Sequence, residues 1–334
     1  MHTQLDRTPS AFWPCEVNVV RHASFKLPLT SASCGSQPAS ALCPTGIPGQ
    51  DRPLVSTRPA GGRPGLPCSG YGDRVEYDDL GLPVPVPDTV RRVVSLVPSL
   101  TEAVAATDES LLAGATNWCT HPPGLDVPRV RGTKNPDLEL IRSLRPDIVL
   151  ANFEENREPD LAALRESGIP VWTTVIRTVD EALRSLDRML TVACRLPRPA
   201  WLDRAAEAWR APAPAFAPAR RAAIVVWRRP WMVVGRDTFT GDVLARLGVT
   251  NVFSGHPERY PKMPLDRIRE TEPDLVVLPD EPYRFTEDDG PECFPGIPAA
   301  LVSGRHLSWY GPSLIEAPGL LTGQLRDAKA RSAG

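Results

Sequence analysis

From Val90 onward, short apolar runs alternate with longer stretches whose apolar residues recur every three or four positions, the pattern of strands alternating with helices. Arg92-Val-Val-Ser-Leu-Val97, Ile148-Val-Leu-Ala151 and Val171-Trp-Thr-Thr-Val175 predict strands of a parallel sheet with helices packed on it. Pro98-Ser-Leu-Thr-Glu102 predicts a helix start, with Ser99 as the cap and Glu102 bonding back to it. Asn135-Pro136 predicts another, a cap followed by a first-turn proline, with the helix running through Leu144 until Pro146 stops it. A longer stripe passes through Leu183, Leu186, Leu190 and Ala193, and resumes after Pro197 and Pro199 through Trp201, Leu202, Ala205, Ala208 and Trp209. It predicts a helical connector, after which a second lobe opens at Ala222-Ala-Ile-Val-Val-Trp227.

The chain also repeats itself. Ile141-Arg-Ser-Leu-Arg-Pro-Asp-Ile-Val149 and Ile268-Arg-Glu-Thr-Glu-Pro-Asp-Leu-Val276 share one pattern, a helix end, a proline stop and a buried strand. Gly114-Ala-Thr-Asn117 is likewise answered by Gly248-Val-Thr-Asn251, each read as closing a helix and starting a strand. Two similar α/β lobes follow, and in such folds the strands' C-terminal ends face a shared cleft, the usual place for a ligand. The predicted organisation is an N-terminal lobe over 75–178, a backbone helix and linker over 179–217, and a C-terminal lobe over 218–330.

Composition changes the picture mainly before Val75. Met1 to Arg74 are crowded with Pro, Gly, Ser and Thr, which predicts a disordered tail or a start codon assigned too far upstream. No signal peptide or lipobox is readable: Phe25-Lys-Leu-Pro-Leu29 is broken by Lys26 and Pro28, and Ser31-Ala-Ser33 before Cys34 lacks an aliphatic residue. As written, the chain is expected in the cytoplasm. A net charge of −2 argues against a polyanionic partner, and no apolar run approaches the ~20 residues that span a bilayer. Cys119, Cys194 and Cys293, the thiols of the folded part, follow no metal or disulfide spacing and read as idle.

Catalytic constellations are missing from the pattern. There is no Gly-x-Ser-x-Gly elbow, phosphate loop or dinucleotide fingerprint, and no histidine pair has zinc-helix spacing, so an enzyme is not expected and no cofactor is required. The acid pairs Glu154-Glu155 and Asp288-Asp289 read as solvated charge. Aromatic and basic residues instead gather where strands end: Trp118 and His121; Trp227, Arg228, Arg229 and Trp231; Tyr283 and Arg284; His306, Trp309 and Tyr310. Such a lining suits a flat ligand with anionic or amide substituents, through stacking and charge-assisted hydrogen bonds.

Val94-Ser-Leu-Val-Pro-Ser-Leu-Thr-Glu102, Gly114-Ala-Thr-Asn-Trp-Cys-Thr-His-Pro-Pro123, Arg145-Pro-Asp147, Asp78-Asp-Leu-Gly81, Gly235-Arg-Asp-Thr238 and Trp309-Tyr310 together resemble the class III periplasmic substrate-binding proteins for vitamin B12, ferric siderophores and haem. The likeness is nearest to the cobalamin-binding branch, the helical backbone metal receptors, and spans nearly all of Val75 to Leu321. It implies two Rossmann-like lobes joined by one long rigid helix, Val179 to about Arg210, and a ligand such as cobalamin or another metal chelate between them. It further implies Trp118 and Trp309 as stacking residues, while His121, Arg229, Trp231, Tyr283 and Tyr310 are candidate ligand-binding residues by their loop positions. Glu158 and Asp266 fall where relatives dock onto the permease of an ABC-type importer. The implied protein is a monomer that works outside the cytoplasm. The alternatives are a cytoplasmic carrier of the same fold without a transporter, and an enzyme on the same scaffold.

Overall fold

The computed structural model describes residues 74–330, so the reading of the N-terminal tail lies almost wholly outside the described residues. A hairpin of β1 (Arg74–Tyr77) and β2 (Pro83–Val86) comes first. The first lobe follows: β3 (Val93–Ser95), α1 (Pro98–Asp108), β4 (Leu112–Ala115), the short pair β5 (Arg131–Gly132) and β6 (Asn135–Pro136), α2 (Leu138–Ser143), β7 (Ile148–Asn152), α3 (Glu158–Glu166) and β8 (Val171–Thr174). Two helices, α4 (Val179–Arg188) and α5 (Ala200–Arg210), form the connector. The second lobe comprises β9 (Arg220–Arg228), β10 (Trp231–Val233), α6 (Phe239–Arg246), β11 (Val249–Asn251), α7 (Leu265–Arg269), β12 (Leu275–Pro279), β13 (Pro298–Val302), α8 (Gly304–Ser308), α9 (Ala317–Arg326) and β14 (Lys329–Ala330).

The two sheets have the same topology. In the first lobe the parallel order is β4-β3-β7-β8. In the second it is β11-β9-β12-β13, with β10 and β14 added antiparallel. The Ile-Arg-x-x-x-Pro-Asp repeat occupies the same place in both. Arg145 and Glu272, each just before the proline, take positive φ of 46° and 45°. Asp147 accepts the N–H of Arg92 at 2.9 Å, and Asp274 that of Arg221 at 3.0 Å. Each arginine in turn donates to carbonyls at the end of the preceding helix, Arg92 to Leu144, Arg221 to Thr271 and Glu272. The Gly-x-Thr-Asn pair does not correspond in this way. Gly114 lies inside β4 beneath Leu144, whereas Gly248 precedes β11 at a positive φ of 80° that a side chain would strain.

Strand periodicity divides the core into layers. Val93, Ile148, Leu150 and Trp172 of the first sheet and Ala222, Ile224, Leu275 and Val277 of the second belong to one cluster that continues through α1, α4, α5 and α9. Alternate residues, such as Val94, Val149 and Val171, or Val225, Val276 and Leu278, face two smaller outer clusters. Burying each such side chain contributes roughly 1.5–3 kcal/mol, so separating the lobes widely would expose much of what holds the molecule together.

Three local readings are corrected. Ser99 is not the cap of α1: Val97 holds that place, Pro98 takes the first turn, and Ser99 lies within the helix. Asn135-Pro136 forms β6, and Asp137 caps α2 by accepting the N–H of Leu140 at 3.1 Å. The connector is helical in two pieces. After α4 it widens into a π turn over Met189–Ala193, passes Arg195 at φ 55°, and restarts only after Pro197 and Pro199, which lack the N–H that a helix needs. Thr178 caps α4 through Glu181 N, and Asp79 of the hairpin turn ties it down through Ser185 and Arg188.

Candidate functional site

The strands' C-terminal ends and their following loops meet at the lobe junction. The loop after β4 is pinned by Arg129, whose guanidinium donates to the carbonyls of Thr116, Cys119 and Leu125 at 3.1, 2.9 and 2.8 Å. Cys119 is buried beneath it between Thr101 and Thr116, so the loop presents Trp118 and His121 on a fixed base. The imidazole of His121 meets Trp309 of the second lobe edge-to-face, with ring centroids 5.5 Å apart. Burial and then the Arg305 charge lower the His121 pKa, favouring the neutral ring.

Two asparagines shape the loop after β7. Asn152 Oδ1 accepts the N–H of Glu154 and Glu155 at 2.8 and 3.3 Å. Asn156 accepts Asn152 N at 2.8 Å and donates to the carbonyls of Leu96 and Thr133. This Asx-type framework turns both glutamates towards the second lobe. Glu154 pairs with Arg259 and accepts from Tyr260 at 3.5 Å, while Glu155 accepts the Tyr310 hydroxyl at 3.2 Å. Lys134 closes the arrangement by donating to the Glu154 carbonyl at 2.5 Å.

Burial is the leading influence on these groups. It raises Glu154 against the pull of Arg259, pushes Glu155 up to about 7 and lowers Lys134. A second polar cluster lies beside Trp309. Glu102 of α1 pairs with Arg305 of α8, which also reaches Glu316 at 3.7 Å, and His306 bonds Glu316 at 2.9 Å. Glu281, after β12, is pushed up to about 7 by burial and by Asp280. Ion pairs and hydrogen bonds therefore draw the two lobes together directly, without relying on the connector alone.

A model of the family described as periplasmic binding protein matches residues 93–289, from the first parallel strand to the loop after β12. The chain belongs to the periplasmic binding protein family. The vitamin B12-binding protein of Pectobacterium carotovorum subsp. carotovorum is 26% identical over 248 residues, covering 70% of this chain and 88% of its own. Among solved structures, the periplasmic vitamin B12 binding protein BtuF of Vibrio cholerae aligns with a TM-score of 0.56 at 17% identity, over 71% of this chain and 97% of its own. The periplasmic heme-binding protein BhuT with two hemes gives 0.57 at 23% identity, over 71% and 98%. These likenesses support the two-lobed fold that the sequence motifs implied.

Within this periplasmic binding protein the residues singled out in the sequence fall into three places. His121, Trp309 and Tyr310 come together at the junction; Trp309 is 8% and Tyr310 5% exposed. Trp118 stands on the same loop as His121, with its indole nitrogen beside Gly132. Trp231 and Tyr283 sit in a separate aromatic cluster of the second lobe, where Trp231 stacks near Phe285 at 6.3 Å and Tyr283 meets Trp227 edge-on at 5.6 Å. Arg229 is exposed on the β9–β10 turn, its carbonyl held by the Trp227 indole at 3.1 Å. Glu158 and Asp266 are exposed in the first turns of α3 and α7, paired with Arg165 and Arg269.

Of the acid pairs read as solvated charge, only Asp288 is exposed. Glu154 and Glu155 are half-buried and partnered across the lobes, because Asn152 and Asn156 fold their loop inward. Asp289 pairs with Arg228 and accepts the Tyr283 hydroxyl at 2.6 Å. Sequence reasoning also passed over Lys134, Arg259, Tyr260, Glu281 and Arg305, and it read Glu102 as the partner of a Ser99 cap where the carboxylate instead pairs with Arg305. The Asn-x-Glu-Glu-Asn run directly after a buried strand was the available signal. Phe153, 46% exposed at the end of β7, is a further aromatic beside the junction. Cys119 and Cys194 are buried free thiols, burial pushing Cys194 up to about 12, and Cys293 lies half-buried 3.4 Å from Arg228. Among the described residues no group of three His, Cys, Asp or Glu side chains is placed to hold a metal ion, and no helix is long and apolar enough to cross a membrane.

Proposed function

We propose that this protein is the substrate-binding component of an ABC-type importer and that it captures a cobalamin-like corrinoid between its lobes. The observation that carries the reading is the edge-to-face contact of His121 from one lobe with Trp309 from the other, with Trp118 on the loop of His121 and Tyr310 next to Trp309. Flat ligands gain most from aromatic walls supplied by two sides of a cleft. Curated relatives named vitamin B12-binding protein, similar over most of the chain, support the same ligand class.

Charge favours a corrinoid over haem. Arg259 is matched by Glu154, Arg305 by Glu102 and Glu316, and Arg228 by Asp289 and Glu292. Haem propionates would have to displace those carboxylates, whereas a corrinoid periphery of neutral amides would not. Exposed Glu158 and Asp266, one on each lobe, are the proposed contacts to the permease. Equilibrium titration of the full chain with cobalamin, haem and ferric siderophores tests the ligand class. Micromolar or tighter binding of cobalamin alone supports the reading, and preferential binding of haem overturns it.

A further inference from the structure

Glu154 and Glu281 occupy the same place in the two halves of the molecule. Each lies two residues beyond its strand, Glu154 after β7 and Glu281 after β12, and each follows the Ile-Arg-x-x-x-Pro-Asp repeat by the same interval. Their surroundings differ in one respect. Glu154 is saturated by Arg259 and Tyr260, whereas Glu281 Oε1 is buried without a hydrogen-bond partner. Close by, the second oxygen of the Glu102 carboxylate, a residue only 6% exposed, and the Nε of Arg305 are also buried and unpartnered. Unsatisfied buried polar atoms are costly, and three of them at one end of a lobe junction call for an explanation.

The backbone packs closely around them, and glycine is what allows the approach. Gly304 lies directly against the backbone and side chain of Glu281, where any Cβ would collide, and Gly311 passes over Glu102 Oε2, 3.4 Å from where its Cβ would stand. Arg305 follows Gly304 and holds Glu102 by its other nitrogen, and the Trp309 indole donates to Glu281. Two carboxylate acceptors and one guanidinium donor thus border the Trp309 and His121 rings.

We propose that Glu281 Oε1, Glu102 Oε2 and Arg305 Nε form a subsite for a primary carboxamide on the edge of the ligand. The amide NH2 donates to the carboxylates, and its carbonyl accepts from Arg305. A carboxylate in the same position would face two acids and meet a single donor, so the subsite selects amide over acid. The inference rests on the corrinoid reading, since it concerns how that ligand's amide fringe is recognised.

The test compares cobalamin with a corrinoid whose side-chain amides have been hydrolysed to carboxylates, both titrated at pH 8 into the full chain. The wild-type protein is expected to bind cobalamin at least about tenfold more tightly, the scale of a hydrogen bond to a charged group. Glu281→Leu is expected to lose about tenfold in cobalamin affinity and to narrow the preference, while Glu281→Gln, which keeps a carbonyl acceptor, retains most of it. Equal affinity of the wild type for the two corrinoids, or an unchanged preference in Glu281→Leu, overturns the subsite and leaves the corrinoid reading standing. Failure of folded wild-type protein to bind cobalamin overturns both.

Discussion

Tyr310 of the second lobe donates its hydroxyl hydrogen to Oε1 of Glu155 in the first at 3.2 Å, so a half-buried acid sits directly on the seam between the lobes. Burial pushes Glu155 up to about 7 from 4.5 despite nearby Lys134. The folded protein therefore keeps a proton that the unfolded chain has released, and stability falls as pH rises from about 4.5 to about 7 and returns on acidification. Glu281 acts in the same direction over the same window. Glu155→Gln keeps the acceptor for Tyr310 and removes the ionisation, so it should be more stable than wild type at pH 7.5 by about 2 kcal/mol and nearly equal at pH 4.5. Urea unfolding at the two pH values measures this, and an equal difference at both would count against it.

Gly235 should tolerate no side chain. A Cβ there would run into the carbonyl oxygen of Glu258, and Gly235 N already donates to the Arg259 carbonyl at 2.7 Å. Gly235→Ala would push away the segment that carries Arg259 and Tyr260 to Glu154. A loss of about 1–3 kcal/mol in thermal or denaturant unfolding is expected, the scale of an overpacked site.

The repeated aspartates offer an internal control. Asp147 accepts two backbone N–H groups, Arg91 at 2.7 Å and Arg92 at 2.9 Å, while Asp274 accepts that of Arg221 at 3.0 Å. Asp147→Ala should cost about 1–2 kcal/mol and Asp274→Ala about half as much, as measured by urea midpoints.

The architecture was legible because its signals are local. Ile-Arg-x-x-x-Pro-Asp fixes a helix end, a positive-φ residue and a strand start within nine residues, and the same pattern recurs in both lobes. The connector's break was half-written in Pro197 and Pro199, but a stripe that resumes at helical spacing reads as one helix until the missing N–H groups are counted. The candidate site was legible only in its aromatics. Trp118, His121 and Trp309 announce themselves at strand ends, yet nothing local says that Trp231 and Tyr283 pack with Trp227 and Phe285 instead. The charged half of the junction was hidden, because Glu154 meets Arg259 across 105 positions and Glu102 meets Arg305 across 203.

The proposed permease contacts, Glu158 and Asp266, allow binding and delivery to be tested separately. Both are exposed and make surface ion pairs, which are worth about 0–1 kcal/mol. Changing either to alanine should leave cobalamin affinity and unfolding midpoint unchanged. Stimulation of transport by the reconstituted importer should be lost, and retained stimulation would remove these residues from the docking surface.

The most direct measurement is the cobalamin affinity of the full chain, followed by tryptophan fluorescence, in the wild type and in Trp309→Ala. The interlobe site predicts micromolar or tighter binding with strong quenching in the wild type, and a loss of about tenfold or more without the indole. Unchanged affinity in Trp309→Ala, or no binding by the folded wild-type protein, would contradict it.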